Sequence, residues 1–439
     1  METRAPFLYK IAQLISRSNL TSFDPKTIHQ ANRVIADTVG TAYSGVRTSA
    51  FQIVLKNKNE LFGRGNLKIW GMDETSVLSG AVFYNTLSVS LTDFDEGHRQ
   101  AVGHPASLVV PAALSLGEYL SLPFSEIQKA VIIGYEIATR FSKARKRENI
   151  TTYASGRWGA IGTAAAVAYL LDLDIVQTIH ALSNAAVLSP TMLGGSTDVS
   201  TGAMSKEGVA WAALSGLQSA LLAKDGFVGP FLFVDEHDDY NKEILVEGLG
   251  ESWLICSNYF KPYACCRWLH SAIEAGLNTI REHQITPDEI IKIEVSIFDR
   301  ALKLIGDKYP ENFVQAQFHL PCCLACALLY DGVIPAYFSV EYLKNNKIQA
   351  LIDKTIIKAD QNYTALFPGQ LPSRVIITLK RGNSYSDEVL SAPWNAGSQP
   401  SDEELYHKFA GQVGDKSENL WDSIFRSHTS TRGRSHIRI

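Results

Sequence analysis

The sequence predicts a mainly α-helical chain with a smaller α+β part. Before residue 250, small and apolar residues recur at helical spacing, and no strong alternating pattern interrupts them. Alternation of apolar and polar residues, which is typical of half-buried strands, appears only in Ile290–Phe298 and in Ser373–Leu390. After Ser391 the helical pattern returns. The chain therefore divides into a long helical part, an α+β layer and a second helical part.

The helices of the first part are predicted from their caps and their periodicity. Asp24 followed by Pro25 is a typical N-cap with proline in the first turn, which predicts a helix over 25–46. The stretch from Gly159 to Leu171 consists almost entirely of small and apolar residues, so we expect a helix buried on every side. Further helices of this part are predicted at 5–20, 76–91, 108–119, 123–140, 174–186 and 206–223.

The later elements follow from the same rules. Gly382-Asn383 predicts a turn between the last two strands of the α+β layer. Helices between the strands are predicted at 267–283, 312–331 and 339–346. Ser401 and the acidic residues after it predict the start of a final helix. The polar residues from Arg426 onward predict a frayed chain end.

Length and composition limit the kind of protein. A chain of 439 residues is too long for one ordinary core, so two domains are expected. The formal net charge is only −4, and no basic stripe or Lys/Arg run of note precedes the C-terminal tail, so nucleic acid is not expected as a partner. The first ten residues do not resemble a signal peptide, and no apolar run is long enough to span a bilayer. We therefore expect a cytoplasmic protein with no membrane partner.

The cysteines predict buried thiols. All six lie beyond residue 255, and their adjacent pairs fit neither a secreted disulfide framework nor a zinc ribbon. Cys323 and Cys326 form a C-x-x-C inside an apolar helical pattern, but the chain has no second C-x-x-C. Small thiols in such a pattern are usually core residues.

The segment from Leu91 to Pro105 places ionisable groups between two apolar helices. Its carboxylates and imidazoles belong to Asp93, Asp95, Glu96, His98 and His104. A solvated loop is the ordinary interpretation, but a polar floor between packed helices is the functional one, because carboxylate and imidazole can transfer protons there. A metal site is a further alternative, which the scattered spacing does not favour. Proton transfer by Asp93 or His104 is the preferred hypothesis.

Three other segments carry groups that suit an anion. Hydroxyls and backbone N–H groups at 151–159 precede a helix. They either bind an anion at the helix N-terminus or only cap the helix, with nothing bound. Lys206 begins an alanine-rich helix. The junction between the helical and α+β parts contains Lys261, Arg267 and His270, and arginine forks match carboxylates. Because no phosphate-binding glycine loop and no nucleophile elbow occurs, nucleotide-driven and hydride-transfer reactions are disfavoured.

Several of these stretches resemble one family, in the family's order and over nearly the whole chain. They are Leu91–Glu96 with Gly103–Pro105, Gly134–Glu136 with Arg140, Gly156–Ala166, Ala220–Pro230, Lys261–His270, and Gln315–Pro321 with Ala327–Gly332. On these motifs the chain resembles the MmgE/PrpD family. That family includes 2-methylcitrate dehydratase, cis-aconitate decarboxylase and iminodisuccinate epimerase.

The resemblance implies an architecture and a chemistry. It implies a large all-helical domain assembled from both ends of the chain, with a smaller α+β lid domain between them. The boundaries expected here are 1–258 for the helical domain, 259–392 for the lid, and 393–439 for the return to the helical domain and the polar tail. It also implies a homodimer that needs no cofactor and no metal and acts on a di- or tricarboxylic acid.

The resemblance also implies site residues between the two domains. Asp93 and His104 are expected to exchange protons, while Lys206 and Lys261 match positions that contribute to the family's site. Further catalytic or substrate-binding candidates are Tyr153, His98, Arg267, His270 and Cys266. This chain departs from the family at three places: Tyr153 and Cys266 stand where decarboxylases have histidines, and Cys322 stands where the family often has tyrosine. The acid or base of the decarboxylase is therefore not carried over.

The leading hypothesis is a lyase or isomerase that removes a proton next to a carboxylate. A hydro-lyase similar to 2-methylcitrate dehydratase is the first choice, with Tyr153 or His98 donating a proton to the leaving group. An epimerase of the iminodisuccinate type, or a specialised isomerase or cyclase on a larger acid, is the alternative. A catalytically inactive homologue that binds carboxylates or serves as a scaffold is the alternative from another class.

Overall fold

The computed structural model describes residues 1–16, 22–150, 152, 154–190, 203–204, 206–302 and 309–425, without the side chain of Arg147. The large domain is helical and draws on both ends of the chain, as the predicted fold class requires. Its helices are α1 (Pro6–Ile15), α2 (Pro25–Gly45), α3 (Ser49–Leu55), α4 (Lys58–Leu61), α5 (Leu78–Leu91), α6 (Pro105–Tyr119), α7 (Phe124–Lys143), α8 (Gly156–Leu170), α9 (Ile175–Leu188), α10 (Val209–Lys224), α11 (Lys242–Val246) and, from the C-terminal end, α19 (Asp402–Val413) and α20 (Ser417–Phe425).

The smaller domain combines a four-stranded sheet with helices. Its helices are α12 (His270–Glu282), α13 (Asp299–Leu302), α14 (Phe313–Phe318), α15 (Leu320–Tyr330), α16 (Val340–Leu343), α17 (Asn346–Asp353) and α18 (Gln361–Leu366). Its strands are β3 (Ile290–Ile297), β4 (Thr355–Ala359), β5 (Ser373–Leu379) and β6 (Ser384–Val389). The strand order is β4-β3-β5-β6; β3 pairs with β4 in parallel, and the other two pairs are antiparallel.

Of the three hydrophobic clusters among the described residues, the two larger ones define the two domains, and the third is a small cluster around Phe51 and Tyr84 within the helical domain. The larger core takes residues between Ala5 and Phe260 and again between Leu405 and Ile424. The smaller core takes residues between Tyr263 and Leu379, with the inward-facing side chains of β3 and β5 packed against helices. The fold class is therefore confirmed, whereas the boundaries at residues 258 and 392 stay predictions. Among the described residues, no helix is both long and apolar enough to cross a membrane.

Local sequence accounts for several helix ends. Asp24 caps α2 by accepting a hydrogen bond from the Thr27 N–H at 3.0 Å, as the sequence predicts. Ser401 and Glu404 form a reciprocal capping box at the start of α19. The predicted helix at 206–223 begins only at Val209, because Glu207 and Gly208 adopt left-handed backbone conformations.

Other elements differ from the prediction. The predicted helix at 312–331 is two helices, because His319 has an extended backbone and caps the second helix by accepting the Cys322 N–H, with Pro321 in the first turn. The short hairpin of β1 (Leu67–Lys68) and β2 (Thr75–Ser76) interrupts the helical domain. Strand β4 and helices α17, α18 and α20 have no predicted counterpart.

Candidate active site

The polar loop between α5 and α6 is buried and pairs with the segment at Tyr259, which leads into the smaller domain. Asp93 has a left-handed φ of 48°, and its side chain is almost completely buried. Gly97 exchanges two backbone hydrogen bonds with Tyr259, at 3.1 and 2.8 Å. A Cβ atom at Gly97 would lie 2.3 Å from the Tyr259 hydroxyl, so this close approach requires glycine. The bridge brings Lys261, two residues further along, next to Asp93.

Two lysines meet on one carboxylate oxygen of Asp93. Lys261 Nζ lies 2.7 Å from Asp93 Oδ1 and also donates to the Asp93 carbonyl oxygen at 2.9 Å. The ammonium group of Lys206 donates to the same Oδ1. Both lysines are buried, at 6% and 1% exposure for Lys206 and Lys261. An ion pair so far from solvent is unusual unless its charges are compensated.

His104 lies between two carboxylates. Its Nε2 is 3.7 Å from Asp93 Oδ1, and its Nδ1 is 3.0 Å from Asp95 Oδ2. Nδ1 also lies 2.8 Å from the carbonyl oxygen of Glu96, while the backbone N–H of His104 donates to Ser155 Oγ at 3.0 Å. We call Asp93, Asp95, His104, Lys206 and Lys261 the Asp93 cluster.

Mutual charges set the protonation of the Asp93 cluster. Burial alone would raise the pKa of Asp93, but Lys206 and Lys261 outweigh it and lower that pKa. Burial alone would lower the pKa of His104, but the Asp95 carboxylate raises it above its usual value. The pKa values of both lysines are raised against burial, mainly by Asp93. The cluster thus contains ionised carboxylates, ammonium groups and an imidazolium.

A strained turn presents Lys206 to the cluster. Glu207 and Gly208 have φ values of 55° and 64°, and α10 starts directly after them. The Glu207 carboxylate accepts the Ser155 N–H at 2.8 Å, and its carbonyl oxygen accepts the Gly156 N–H at 3.0 Å. These N–H groups belong to the start of α8, where the sequence suggested an anion site. Glu207 therefore satisfies that helix end from within the chain.

Comparison with known proteins adds the family. The MmgE/PrpD N-terminal domain matches residues 9–244, and the MmgE/PrpD C-terminal domain matches residues 263–419. The chain belongs to the MmgE/PrpD family. This membership confirms the resemblance drawn from the sequence motifs. Four residues of the Asp93 cluster lie inside the N-terminal domain match, and Lys261 lies between the two matches.

The relatives of this MmgE/PrpD chain carry related names. Cis-aconitate decarboxylase from Aspergillus terreus is 24% identical, over 91% of this chain and 89% of the relative. Human cis-aconitate decarboxylase is 23% identical, over 91% and 85% of the two chains. A cis-aconitate decarboxylase-like protein, oryM, from Aspergillus oryzae is 22% identical, over 92% and 90%. The similarity thus extends over nearly the full length of each relative.

Arg267 and His270 do not join the Asp93 cluster. The Arg267 guanidinium donates to the carbonyl oxygens of Phe260 and Ala392, at 3.2 and 3.3 Å, and stacks over the Tyr259 ring. His270 Nε2 lies 3.2 Å from the Cys265 carbonyl oxygen, and burial keeps its pKa well below the usual value. Both predicted anion contacts are therefore occupied with the chain itself, which indicates a supporting role at the domain junction.

His98 is also separate from the cluster. No hydrogen bond or ion pair joins it to Asp93, Asp95 or His104 in the described part of the chain. Its ring packs edge-on against Tyr135, with the ring centroids 6.2 Å apart. Burial lowers the pKa of His98 to about 4, so the imidazole is neutral. It is a poor proton donor to a leaving group, contrary to the sequence-based expectation.

Of the two remaining candidates, Cys266 is described by the structure and Tyr153 is not. Cys266 is buried near the Asp93 cluster, and burial with the nearby Asp93 charge raises the pKa of its thiol to about 12. It is therefore a neutral side chain that shapes the site and not a thiolate nucleophile. Tyr153 lies outside the residues that the structure describes, so its role stays a prediction.

Sequence reasoning missed the function of Glu96. Its carboxylate accepts hydrogen bonds from the Ala106 N–H, the Tyr135 hydroxyl and the Asn258 amide, at 3.1, 2.8 and 3.2 Å. Burial raises its pKa to about 7. By capping α6, which begins directly after His104, Glu96 fixes the imidazole in place. Its position as a third carboxylate in the same loop was the available signal.

A metal ion suits the Asp93 cluster poorly. One ligand atom each from Asp93, Asp95 and His104 lies within 4.8 Å of the others, which is a spacing that a cation could bridge. The two ammonium groups on Asp93 Oδ1 would repel such a cation at short range. With these two ammonium groups present, the cluster is better suited to bind an anion than a metal ion.

Proposed function

We propose that this chain is a lyase that acts on a carboxylic acid by removing a proton next to a carboxylate, and that dehydration of a di- or tricarboxylic hydroxy acid is the reaction. The observation that carries the proposal is the convergence of Lys206 and Lys261 on Asp93, with His104 at 3.7 Å. Family membership and the lyase names of the relatives support the reaction class.

Charge in the cluster favours an anionic substrate. Three cationic groups, on Lys206, Lys261 and His104, face the two carboxylates of Asp93 and Asp95. One positive charge is thus in excess in a buried setting, where the attraction for an anion is strong. A substrate carboxylate that approaches the two ammonium groups competes with Asp93 for them.

This competition activates the base. Asp93 has a low pKa because two ammonium groups contact it. When the substrate carboxylate takes over those contacts, the pKa of Asp93 rises and the carboxylate becomes able to accept the proton from the neighbouring carbon. The ammonium groups then stabilise the negative charge that develops on the substrate carboxylate.

His104 supplies the acid. The raised pKa keeps its imidazole protonated, so it can donate to the substrate hydroxyl. The C–H bond breaks toward Asp93, its electron pair forms the carbon–carbon double bond, and the C–O bond breaks as the hydroxyl leaves with the His104 proton as water. Asp95 and the Glu96 carbonyl oxygen orient the imidazole during this step.

Decarboxylation is the second candidate, because the relatives are named cis-aconitate decarboxylases. The same lysines would stabilise the carbanion that remains after CO₂ departs. Tyr153 and Cys266 stand where histidines occur in decarboxylases, which favours dehydration over this alternative. Replacing Tyr153 by Phe separates the two: the dehydration proposed above takes its proton from His104 and should keep its rate, whereas a decarboxylation whose carbanion takes its proton from the Tyr153 hydroxyl should be slowed.

Proton NMR in D₂O tests the proposal. Purified protein is incubated with a panel of di- and tricarboxylic acids, and solvent deuterium and product skeletons are followed. Dehydration predicts a new alkene together with deuterium in recovered substrate. Loss of CO₂ would replace dehydration by decarboxylation, and exchange without a new skeleton would replace it by epimerisation.

Asp93→Asn is the matched variant for this assay, because it keeps the side-chain shape and removes the base. We expect it to abolish exchange on the acid that the wild type converts. If no acid in the panel exchanges, although binding of one of them is measurable by calorimetry, the lyase proposal is rejected in favour of a binding protein.

A further inference from the structure

One buried amide of the smaller domain carries an acceptor that the chain itself does not use. Gln317 lies on α14 and is only 1% exposed. Its Nε2 donates to the Leu91 carbonyl oxygen, at the end of α5, at 2.7 Å. Within the described part of the chain, no group donates to its Oε1, although this atom is shielded from solvent. Buried amide oxygens nearly always have a donor, so this one needs an explanation.

The contact with Leu91 fixes which end of the Gln317 amide is the acceptor. A backbone carbonyl oxygen can only accept, so the end that faces it must be the NH₂ group. Turning the amide over would place two oxygens against each other and would leave the last carbonyl of α5 without its donor. The unused atom is therefore the oxygen, and what it requires is a hydrogen-bond donor.

A second glutamine shows the same contact with no acceptor left over. The half-buried Gln399 also donates through Nε2 to a backbone oxygen, that of Asn258, at 2.9 Å. Its Oε1 accepts a hydrogen bond from Arg33 Nη1 at 3.1 Å. The amide of Gln399 is thus paired at both ends within the chain, whereas that of Gln317 is paired at one end only.

Gln317 lies beside the Asp93 cluster. Leu91, which it contacts, precedes Asp93 by two residues, and the Cys266 N–H donates to the Gln317 carbonyl oxygen at 2.9 Å. Burial and then the charge of Asp93 raise the pKa of the Cys266 thiol, which places that side chain near the same carboxylate. Thr92, between Leu91 and Asp93, has a buried hydroxyl that also lacks a partner among the described residues. Unused polar groups therefore lie next to the cluster.

We infer that Gln317 Oε1 accepts a hydrogen bond from the hydroxyl group of the substrate and thereby selects hydroxy acids over acids that lack this hydroxyl. A substrate carboxylate carries only acceptors, so it fits the ammonium groups of the cluster and not this oxygen. A hydroxyl can donate its own hydrogen to Oε1 while its oxygen accepts the proton of His104. The inference rests on the proposed dehydration, in which this hydroxyl is the leaving group.

The hydrogen bond orients the leaving group for that step. The departing oxygen keeps the hydrogen that faces Gln317 and gains the proton from His104, so it leaves as water and no further reactant is needed. An acid without the hydroxyl leaves Oε1 buried and unpaired, which weakens its binding. We therefore expect the wild type to bind a hydroxy acid roughly ten times more tightly than the same acid without its hydroxyl.

The test is the affinity ratio within matched pairs of acids, measured by isothermal titration calorimetry on the full chain. The pairs are citrate with propane-1,2,3-tricarboxylate and malate with succinate, and the members of each pair differ by one hydroxyl. Gln317→Met removes the acceptor and should bring both ratios from roughly ten to about one. Gln317→Lys still offers a donor to the Leu91 carbonyl oxygen but has no acceptor, so its ratios should fall in the same way with the contact between α14 and α5 retained.

Gln399→Met is the matched control, because it removes a glutamine whose acceptor is already paired, and its ratios should stay at the wild-type value. Each ratio is taken within one variant, so a general change in charge or stability does not alter it. Equal wild-type affinities within each pair, or a preference for the hydroxy acid that persists in both Gln317 variants, would overturn the inference and leave the lyase proposal standing. If the wild type binds none of the four acids, the proposed function is contradicted and the inference falls with it.

Discussion

Two buried lysine–aspartate centres contact the same loop, and their protonation responds in opposite directions. In the first, Lys408 Nζ of α19 lies 2.6 Å from Asp37 Oδ1 and 2.6 Å from the Phe94 carbonyl oxygen. Burial raises the pKa of Asp37 and lowers the pKa of Lys408 in spite of their pairing. In the Asp93 cluster the pKa of the aspartate is lowered and those of the lysines are raised.

The number of opposite charges explains the difference. Asp37 meets a single ammonium group, so the desolvation of both ions is only partly compensated. Asp93 meets two ammonium groups and a nearby imidazolium, so its charge is overcompensated. A one-to-one pair holds the loop, since Asp37 Oδ2 also accepts the Glu96 N–H at 2.9 Å. An excess of positive charge is what makes the second centre suited to a substrate anion.

The largest effect on activity is expected when one positive charge of the Asp93 cluster is removed. Lys261→Met should lower kcat/KM by roughly a thousandfold, about 4 kcal/mol, because the ammonium group binds the substrate carboxylate and stabilises the developing charge. The free energy of unfolding should fall by less than in the Lys408 variant below, because Lys206 still neutralises Asp93. Steady-state kinetics on the acid found by deuterium exchange, with chemical denaturation of the same samples, measures both.

A loss of less than tenfold in Lys261→Met would place Lys261 outside the reaction. Lys261→Arg serves as the control for charge. It keeps a cation but offers a planar fork in place of a point charge, so partial activity is expected from it if charge is what matters.

For the Asp37–Lys408 pair we expect the opposite: a large loss of stability and little loss of activity. Lys408→Met leaves the buried Asp37 carboxylate without its partner and should lower the free energy of unfolding by about 3 kcal/mol, with kcat changed by less than tenfold. Adding Asp37→Asn removes the unpaired charge and should recover part of the stability. Urea denaturation followed by circular dichroism measures both variants. A thousandfold loss of kcat at full stability would instead assign Lys408 to the active site.

The sequence predicts the elements with strong local signals and misses those defined by pairing. The cap at Asp24 and the capping box at Ser401 begin α2 and α19 as expected. Strand β4, Thr355–Ala359, is mostly exposed and has no clear alternation, so only its pairing with β3 defines it. In the same way the start of α10 depends on the left-handed turn at Glu207, which no periodicity indicates.

The same holds for the site: residues in recognisable motifs are predicted, and contacts between distant segments are not. Motifs of the family place Asp93, His104, Lys206 and Lys261 among the candidates, and the fold brings these four together. Arg267 is an arginine close to the site, as a substrate contact would be, but both of its terminal nitrogens donate to backbone oxygens. The Asp37–Lys408 pair joins residues 371 positions apart, and nothing near either residue in the sequence points to the other.

A smaller effect is expected at the acid of the cluster. His104→Gln should lower kcat by roughly a hundredfold, about 2.7 kcal/mol, which is the usual contribution of a general acid. His180→Gln is the matched control, because both histidines are 8% exposed and His180, on α9, lies outside the Asp93 cluster and accepts the Gly229 N–H. Equal losses in the two variants would show a general packing effect and remove His104 from the mechanism. Thermal melts of both variants accompany the kinetics.

The smallest expected difference between the two centres is in how kcat/KM depends on pH. Burial lowers the pKa of His104 and the Asp95 carboxylate raises it, with a net increase. In Asp95→Asn the second effect is lost, so the acid form disappears at lower pH and the alkaline limb of kcat/KM should move to lower pH. Asp37→Asn removes a carboxylate that contacts the same loop but not His104, so its alkaline limb should stay in place.

The attraction between His104 and Asp95 should also make the free energy of unfolding depend on pH. The pKa of His104 is raised and that of Asp95 is lowered, so their attraction is fully present between about pH 4 and 6.5, the usual values of the two groups in unfolded chains. It is lost as the pH rises through the raised pKa of His104. The difference in unfolding free energy between wild type and Asp95→Asn should therefore be largest in that window and shrink above it. A difference that instead grows toward alkaline pH would mean that His104 is neutral beside Asp95, and the imidazole would then be available as a base and not as the acid.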